Sequence, residues 1–136
     1  MRGSKPTNIF YFFSTDAPGK AGSGSWRPNA DIYETDSHVV IALEVPGVKS
    51  SDLEITEYRD KLIVKGVRHP EMKDGPKRFH QIEIVCGEFQ KEIVLSEQLK
   101  GAPVEATLSH GILYLRIEKN VSAEERGIKQ IKIEAE

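Results

Sequence analysis

The chain has 136 residues, enough for one domain with a real core and short extensions. Hydrophobic residues make up 38% and charged residues 29%, an ordinary globular balance, and the formal net charge is −2. Lysine and arginine are spread along the chain with no basic block, so there is no electrostatic case for nucleic acid or for an anionic membrane surface.

Residues 1–25 read as a flexible N-terminal arm. Ile9, Phe10, Tyr11, Phe12 and Phe13 form an apolar cluster. The cluster is too short for a signal-peptide core and far too short to span a bilayer. A cytoplasmic location is therefore expected. The single cysteine, Cys86, permits no internal disulfide and fits a reducing compartment. Pro18, Gly19, Gly22, Gly24 and several serines then give the composition of a linker. The glycine run is no phosphate loop: it lacks a Gly-Lys-Ser/Thr ending, and Trp26 and Pro28 follow where a helix would begin.

From Trp26 onward the pattern is strand after strand. Asp31 to Glu34 comes first. His38 to Val45 alternates, with Val39, Ile41, Leu43 and Val45 on one face, until Pro46-Gly47 stops it. Leu53 and Ile55 begin a strand that reaches Tyr58, and Arg59-Asp60 turns the chain into Leu62 to Lys65. Phe79 to Val85, Phe89 to Leu95, Val104 to Leu108 and Ile112 to Ile117 complete the set. About eight short alternating strands separated by turn signals predict an antiparallel sandwich. No long stretch has helical periodicity. Ser122 to Glu125 is a capping-box pattern that Gly127 ends at once.

Two features lie outside a plain sandwich. The connection from Gly66 to Lys77 is long, polar and unable to fill a core, and loops of that length tend to reach outward. The strand at its far end, Phe79 to Ile84, is then free to pair with a partner's sheet edge. The second feature is Ile131-Lys132-Ile133 in a charged tail. Two isoleucines at spacing two point the same way in an extended chain. A lone tail has no core in which to bury them, so they read as a plug for a groove on this subunit or on a neighbour. The blander reading makes Ile128, Ile131 and Ile133 an extra edge strand.

Catalytic chemistry finds no support. His38, His69, His80 and His110 are scattered, and one cysteine makes no zinc knuckle, so no metal is expected. No nucleophile elbow or nucleotide site is present. Twenty-one carboxylates make chance pairs, not a glycosidase dyad. The chain is expected to be no enzyme and to need no cofactor.

Several pieces, in order, resemble the small heat-shock protein family of bacterial and plant type, built on the α-crystallin domain. They are Trp26-Arg27-Pro28-Asn29-Ala30-Asp31-Ile32-Tyr33-Glu34, then Leu43-Glu44-Val45-Pro46-Gly47-Val48, then Leu62 to Arg68 with a long loop and Arg78-Phe79. Gly87-Glu88-Phe89 follows, then Ala106, Gly111 and Leu113 in the pattern Ala-x-x-x-x-Gly-x-Leu, and last the I-x-I tail. The resemblance covers roughly residues 26–134. Its signature is readable physically: His110-Gly111 makes a tight hairpin because glycine tolerates positive φ, and Gly111 is expected to do only that. Ala106 leaves room beside the neighbouring strand. Leu113, Leu115 and Ile117 share a face of the returning strand. Lys91 stands where the family usually has arginine, and lysine lacks the planar fork of a bidentate pair.

The resemblance implies an all-β, antiparallel, immunoglobulin-like β-sandwich over residues 26–118, with an arm at 1–25 and a C-terminal extension at 119–136. It implies an ATP-independent chaperone, a holdase that keeps unfolding proteins from aggregating under stress. Its partners would be itself and unfolding client proteins. Dimers would form by exchange of the strand carrying Phe79, Gln81, Ile82 and Ile84. Ile131 and Ile133 would dock on another dimer, in the groove between Leu53-Ile55 and Val104-Ala106-Leu108. The aromatic cluster Ile9 to Phe13 would contact clients, or pack inside the oligomer. The competing class is a non-chaperone β-sandwich adaptor, co-chaperone-like, that binds one folded partner.

Overall fold

The computed structural model describes residues 13–16, 26–70, 73–119 and 128–136. The cluster residues Ile9 to Phe12 and the capping-box pattern at Ser122 to Glu125 lie outside the described residues.

The described strands are β1 (Phe13–Asp16), β2 (Ala30–Glu34), β3 (His38–Glu44), β4 (Leu53–Tyr58), β5 (Lys61–Arg68), β6 (Gly87–Val94), β7 (Val104–Ser109), β8 (Ile112–Glu118), β9 (Ile128–Gln130) and β10 (Ile133–Ala135). One sheet has the order β1-β6-β5-β4-β9 and the other β10-β7-β8-β3-β2. Every pairing is antiparallel except that of β10 with β7. The two sheets enclose one core.

Alternation sets the register. Val39, Ile41 and Leu43 of β3 stand opposite Ile117, Leu115 and Leu113 of β8, and all six are fully buried. A slip of one residue would turn both stripes to solvent. Ile55 from β4, Leu62 and Val64 from β5, and Phe89 and Ile93 from β6 face them across the sandwich in the same core cluster. At the β7–β8 turn, His110 and Gly111 have φ of 50° and 82°, the left-handed pair that a two-residue hairpin with the sheet's twist requires.

Gly111 does more than turn. A Cβ there would lie 3.2 Å from Pro46 Cα, and its carbonyl accepts a 2.7 Å hydrogen bond from Val45 N–H. The hairpin thus packs against the Pro46-Gly47 turn, and reading Gly111 as a hairpin glycine alone is incomplete. Gly66 on β5 is the second glycine required by a close approach. A Cβ there would stand 2.5 Å from the Phe89 ring and 2.9 Å from Leu53 Cδ2.

Two segments differ from the sequence pattern, and a third follows its blander reading. Phe13–Asp16, read as part of the flexible arm, pairs with β6 from Phe13↔Val94 to Asp16↔Lys91. Backbone pairing to an open edge drives this, and side-chain alternation does not announce it. Phe79 to Val85, read as a strand, has none of the ladder bonds of one. An alternating segment becomes a strand only when it lies alongside a sheet edge, and this one pairs with none in its own chain. Ile128–Gln130, placed in the tail with an extra edge strand as the blander reading, forms β9 against β4 through Thr56↔Gln130 and Tyr58↔Ile128.

Gly66→Ala should destabilise the domain by about 1–3 kcal/mol, the usual effect of forcing an extra carbon into a packed core. Denaturant unfolding checks this, and an unchanged midpoint would show that Phe89 moves aside freely.

Candidate functional site

The open side of the sandwich, between the edges of β4 and β7, is closed by the tail. Ile131 N–H donates to Ile55 O at 3.0 Å, continuing the antiparallel run of β9 along β4. Two residues later Ile133 pairs in parallel with Ala106 on β7. The tail therefore crosses from one sheet to the other within Ile131-Lys132-Ile133. Both isoleucines are half-buried and pack against the core cluster together with Leu53, Val104 and Leu108, while Lys132 faces out. Ile55 and Ala106 are buried beneath. The sequence named Leu53, Ile55, Val104, Ala106 and Leu108 as a seat for the tail of another dimer; here they gather around the tail of their own chain.

Polar groups fasten the ends of this plug. Gln130 Nε2 donates to Thr56 Oγ1 at 3.1 Å. Glu136 N–H donates to Leu108 O at 3.0 Å, and Ser109 Oγ donates to Glu136 Oε1 at 3.0 Å. Sequence reasoning missed Gln130 and Glu136, because one polar residue beside a charged tail carries no pattern.

The second surface is the run after the long loop. Phe79 is 60% exposed, Ile82 71%, Ile84 77% and Val85 49%, and Gln81 is exposed beside them. Side chains this apolar are seldom this exposed together in one stretch of a folded domain. Across the molecule, β2 is an outer strand of its sheet, paired on one side with β3 and bearing exposed Tyr33. Among the described residues no strand pairs with its other side. The signature residues Ala106, Gly111 and Leu113 sit on and beside the β7–β8 hairpin.

Two charged side chains turn inward. Lys91 lies between Phe89 and Ile93 on the inner face of β6, and its Nζ donates to Pro28 O at 2.7 Å. Glu57 of β4 accepts a 3.2 Å hydrogen bond from Gly101 N–H. Both fix connections at the margin of the core. His69 lies 3.6 Å from Asp52, and His38 and His110 each contact a neighbouring serine. Among the described residues no group of three or more His, Cys, Asp or Glu side chains could hold a metal ion. No described helix is long and apolar enough to cross a membrane.

A family model described as the Hsp20/alpha crystallin family matches residues 31–134. The salt stress-responsive protein YocM of Bacillus subtilis is 37% identical over 111 residues, spanning 82% of this chain and 67% of YocM. Small heat shock protein C2 of Rickettsia felis is 30% identical over 102 residues, spanning 75% of this chain and 66% of that protein. The chain thus spans about two thirds of the length of these curated relatives. The solved structure of hspA from Xanthomonas axonopodis superposes with a TM-score of 0.62 at 29% identity, covering 70% of this chain and 95% of hspA. A small heat-shock protein from Xylella fastidiosa, reported to have a distinct high order structure, gives 0.64 at 29% identity over 76% and 95%.

Replacing Ile131 and Ile133 by glycine should free the tail from its seat while the sandwich stays folded. Amide hydrogen exchange at Ile128, Gln130 and Glu136 should rise towards that of an open chain. Retained protection there would mean that the backbone pairing holds without the isoleucines.

Proposed function

This chain belongs to the Hsp20/alpha crystallin family, and from that premise we propose that it is an ATP-independent holdase that binds unfolding proteins and prevents their aggregation under stress. Family membership supports a chaperone role in general. The observation that carries the finer reading is the exposed apolar run from Phe79 to Val85 on a folded domain. A surface of this kind is filled by other polypeptides.

The building block in this reading is a dimer. Phe79, Gln81, Ile82 and Ile84 of one subunit add a strand to the outer edge of β2 of the other, and the exchange is reciprocal. An extended segment with no ladder of its own and a sheet edge with unmade hydrogen bonds are complementary. Larger homo-oligomers follow when Ile131 and Ile133 leave their own groove for the same groove of another dimer. The residues at the seat are identical in both cases, so the exchange leaves the local contacts unchanged and costs little free energy.

Magnitudes make the plug reversible. Two buried isoleucines contribute about 3–6 kcal/mol. Ordering each tail residue costs about 1–2 kcal/mol. One tail contact is therefore weak, and many together hold an assembly by multivalency. Heating opens such contacts and bares the groove, and the arm cluster Ile9 to Phe12, with Phe13 at the start of β1, supplies further apolar area for clients. Nothing in this cycle consumes a nucleotide or performs catalysis. A cytoplasmic location completes the reading.

Light scattering of a heat-labile client, with no nucleotide added, should show suppressed aggregation at equimolar subunits. Absence of protection would favour the adaptor alternative. In sedimentation experiments, Ile82→Asp combined with Ile84→Asp should leave monomers, whereas Ile131→Gly combined with Ile133→Gly should leave dimers. An unchanged size distribution in the first variant removes strand exchange, and in the second removes tail docking between dimers.

A further inference from the structure

One side chain holds both ends of the loop that carries the exposed run. Arg68 is the last residue of β5, opposite Gly87 at the start of β6, so it stands where the chain leaves the sheet and where it returns. Its Nε donates to Val85 O at 3.0 Å, and its Nη2 donates to the same oxygen. Its Nη1 donates to Pro46 O at 3.0 Å. The guanidinium plane covers the Trp26 ring, with Cζ 3.8 Å from the centroid. Trp26 is in turn edge-on to Phe89, with centroids 5.1 Å apart and planes at 77°, and its backbone N–H donates to Glu88 O at 3.1 Å. Arg68 therefore ties together the start of the sandwich, the Pro46-Gly47 turn and the residue directly after Ile84.

Arginine is required for this combination. Its planar fork presents two donors to one carbonyl and a third to another while its face stacks on an indole. Lysine has neither the fork nor the face. Gly47 belongs to the same arrangement: the Cβ it lacks would stand 3.6 Å from Arg68 Cδ, so the Pro46-Gly47 turn lies directly against the arginine stem.

We infer that Arg68 is a positioning residue for strand exchange, acting with Trp26 as a latch that fixes the root of the exposed loop. The inference rests on the strand-exchange reading above. A root held at Val85 sets the direction in which Ile84 and Ile82 project, so part of the ordering that pairing with a partner's edge requires is already done. Binding by a pre-ordered segment is tighter because less conformational freedom is lost on association. Trp26 lies outside the exchanged segment, yet it faces the guanidinium. Changes at the entrance to the sandwich are thereby felt at the dimer contact.

The test uses the full chain, with Trp26 as its single tryptophan and internal reporter. Dimer dissociation is read by sedimentation over a concentration series, subunit exchange by energy transfer, and melting is followed in parallel. Arg68→Met should weaken the dimer about tenfold and speed exchange to a similar degree, the scale of lost charge-assisted bonds and a ring contact. Arg68→Lys should fail to rescue, and it carries the test if the methionine variant does not fold. Trp26→Leu should weaken the dimer in the same direction, and the double variant should fall short of the product of the two single effects, as coupled residues do. Altered Trp26 emission in Arg68→Met with an unchanged dissociation constant overturns the latch, as does full additivity of the two changes. A wild-type chain that stays monomeric, or a dimer indifferent to Ile82→Asp with Ile84→Asp, overturns strand exchange and the latch together. A dimer sensitive to Ile82 and Ile84 but not to Arg68 overturns the latch alone.

Discussion

A sheet edge carries a row of amide and carbonyl groups with no partner, and covering those rows organises the described molecule. Without its terminal segments the sandwich would have four such edges, along β4, β6, β7 and β2. The chain covers three of them itself: β1 lies on β6, β9 on β4 and β10 on β7. The covering strands are only three or four residues long, and short edge strands resist further pairing. Among the described residues the outer edge of β2 is left, together with one alternating apolar segment that pairs with no strand. In the proposed assembly that edge receives the exchanged strand, since the edges of β4, β6 and β7 are already covered.

Two kinds of force divide the work inside the domain. Apolar stripes from β3, β8, β5 and β6 hold the middle, where register alone decides what is buried. Polar side chains hold the connections at the margins, each satisfying a backbone group that the strands leave over. Lys91 reaches Pro28 O, Glu57 receives Gly101 N–H, and Arg68 serves Pro46 O and Val85 O. The segment from Trp26 to Asn29 shows the result. It is bound to one sheet through Glu88 O and to the other through the bond from Glu44 N–H to Asn29 O. That short stretch ties the two layers together at one side, as the tail does at the groove.

The groove and the exposed run differ in how firmly they are held. The tail is bound by a few backbone bonds and two half-buried isoleucines, all on the rim of the core. Contacts on a rim require less free energy to open than buried central strands, since opening free energy follows burial. A domain that keeps a rigid centre and loose, apolar margins has surfaces to exchange without having to unfold. This arrangement suits the proposed holdase, whose partners would be copies of itself and chains that have lost their own fold.

Much was legible from the order of residues alone. Strict alternation announced β3, β4, β5, β6, β7 and β8, because a half-buried strand must repeat every second residue. The hairpin at His110-Gly111 and the stop at Pro46-Gly47 followed from backbone chemistry. The spacing of Ile131 and Ile133 suggested a plug for some groove, and the family resemblance implied a seat on another dimer. Tertiary structure decided the rest, because pairing depends on which edge is within reach. It made a strand of Phe13–Asp16, denied one to Phe79–Val85, and seated the tail in its own chain's groove. It gave Gly111 a second contact at Pro46, and gave Gly66 its place against Phe89. It also brought Arg68 over Trp26, two residues far apart in sequence whose meeting no local pattern encodes. A sequence states which faces are apolar; only the folded chain determines which of them find a partner at home.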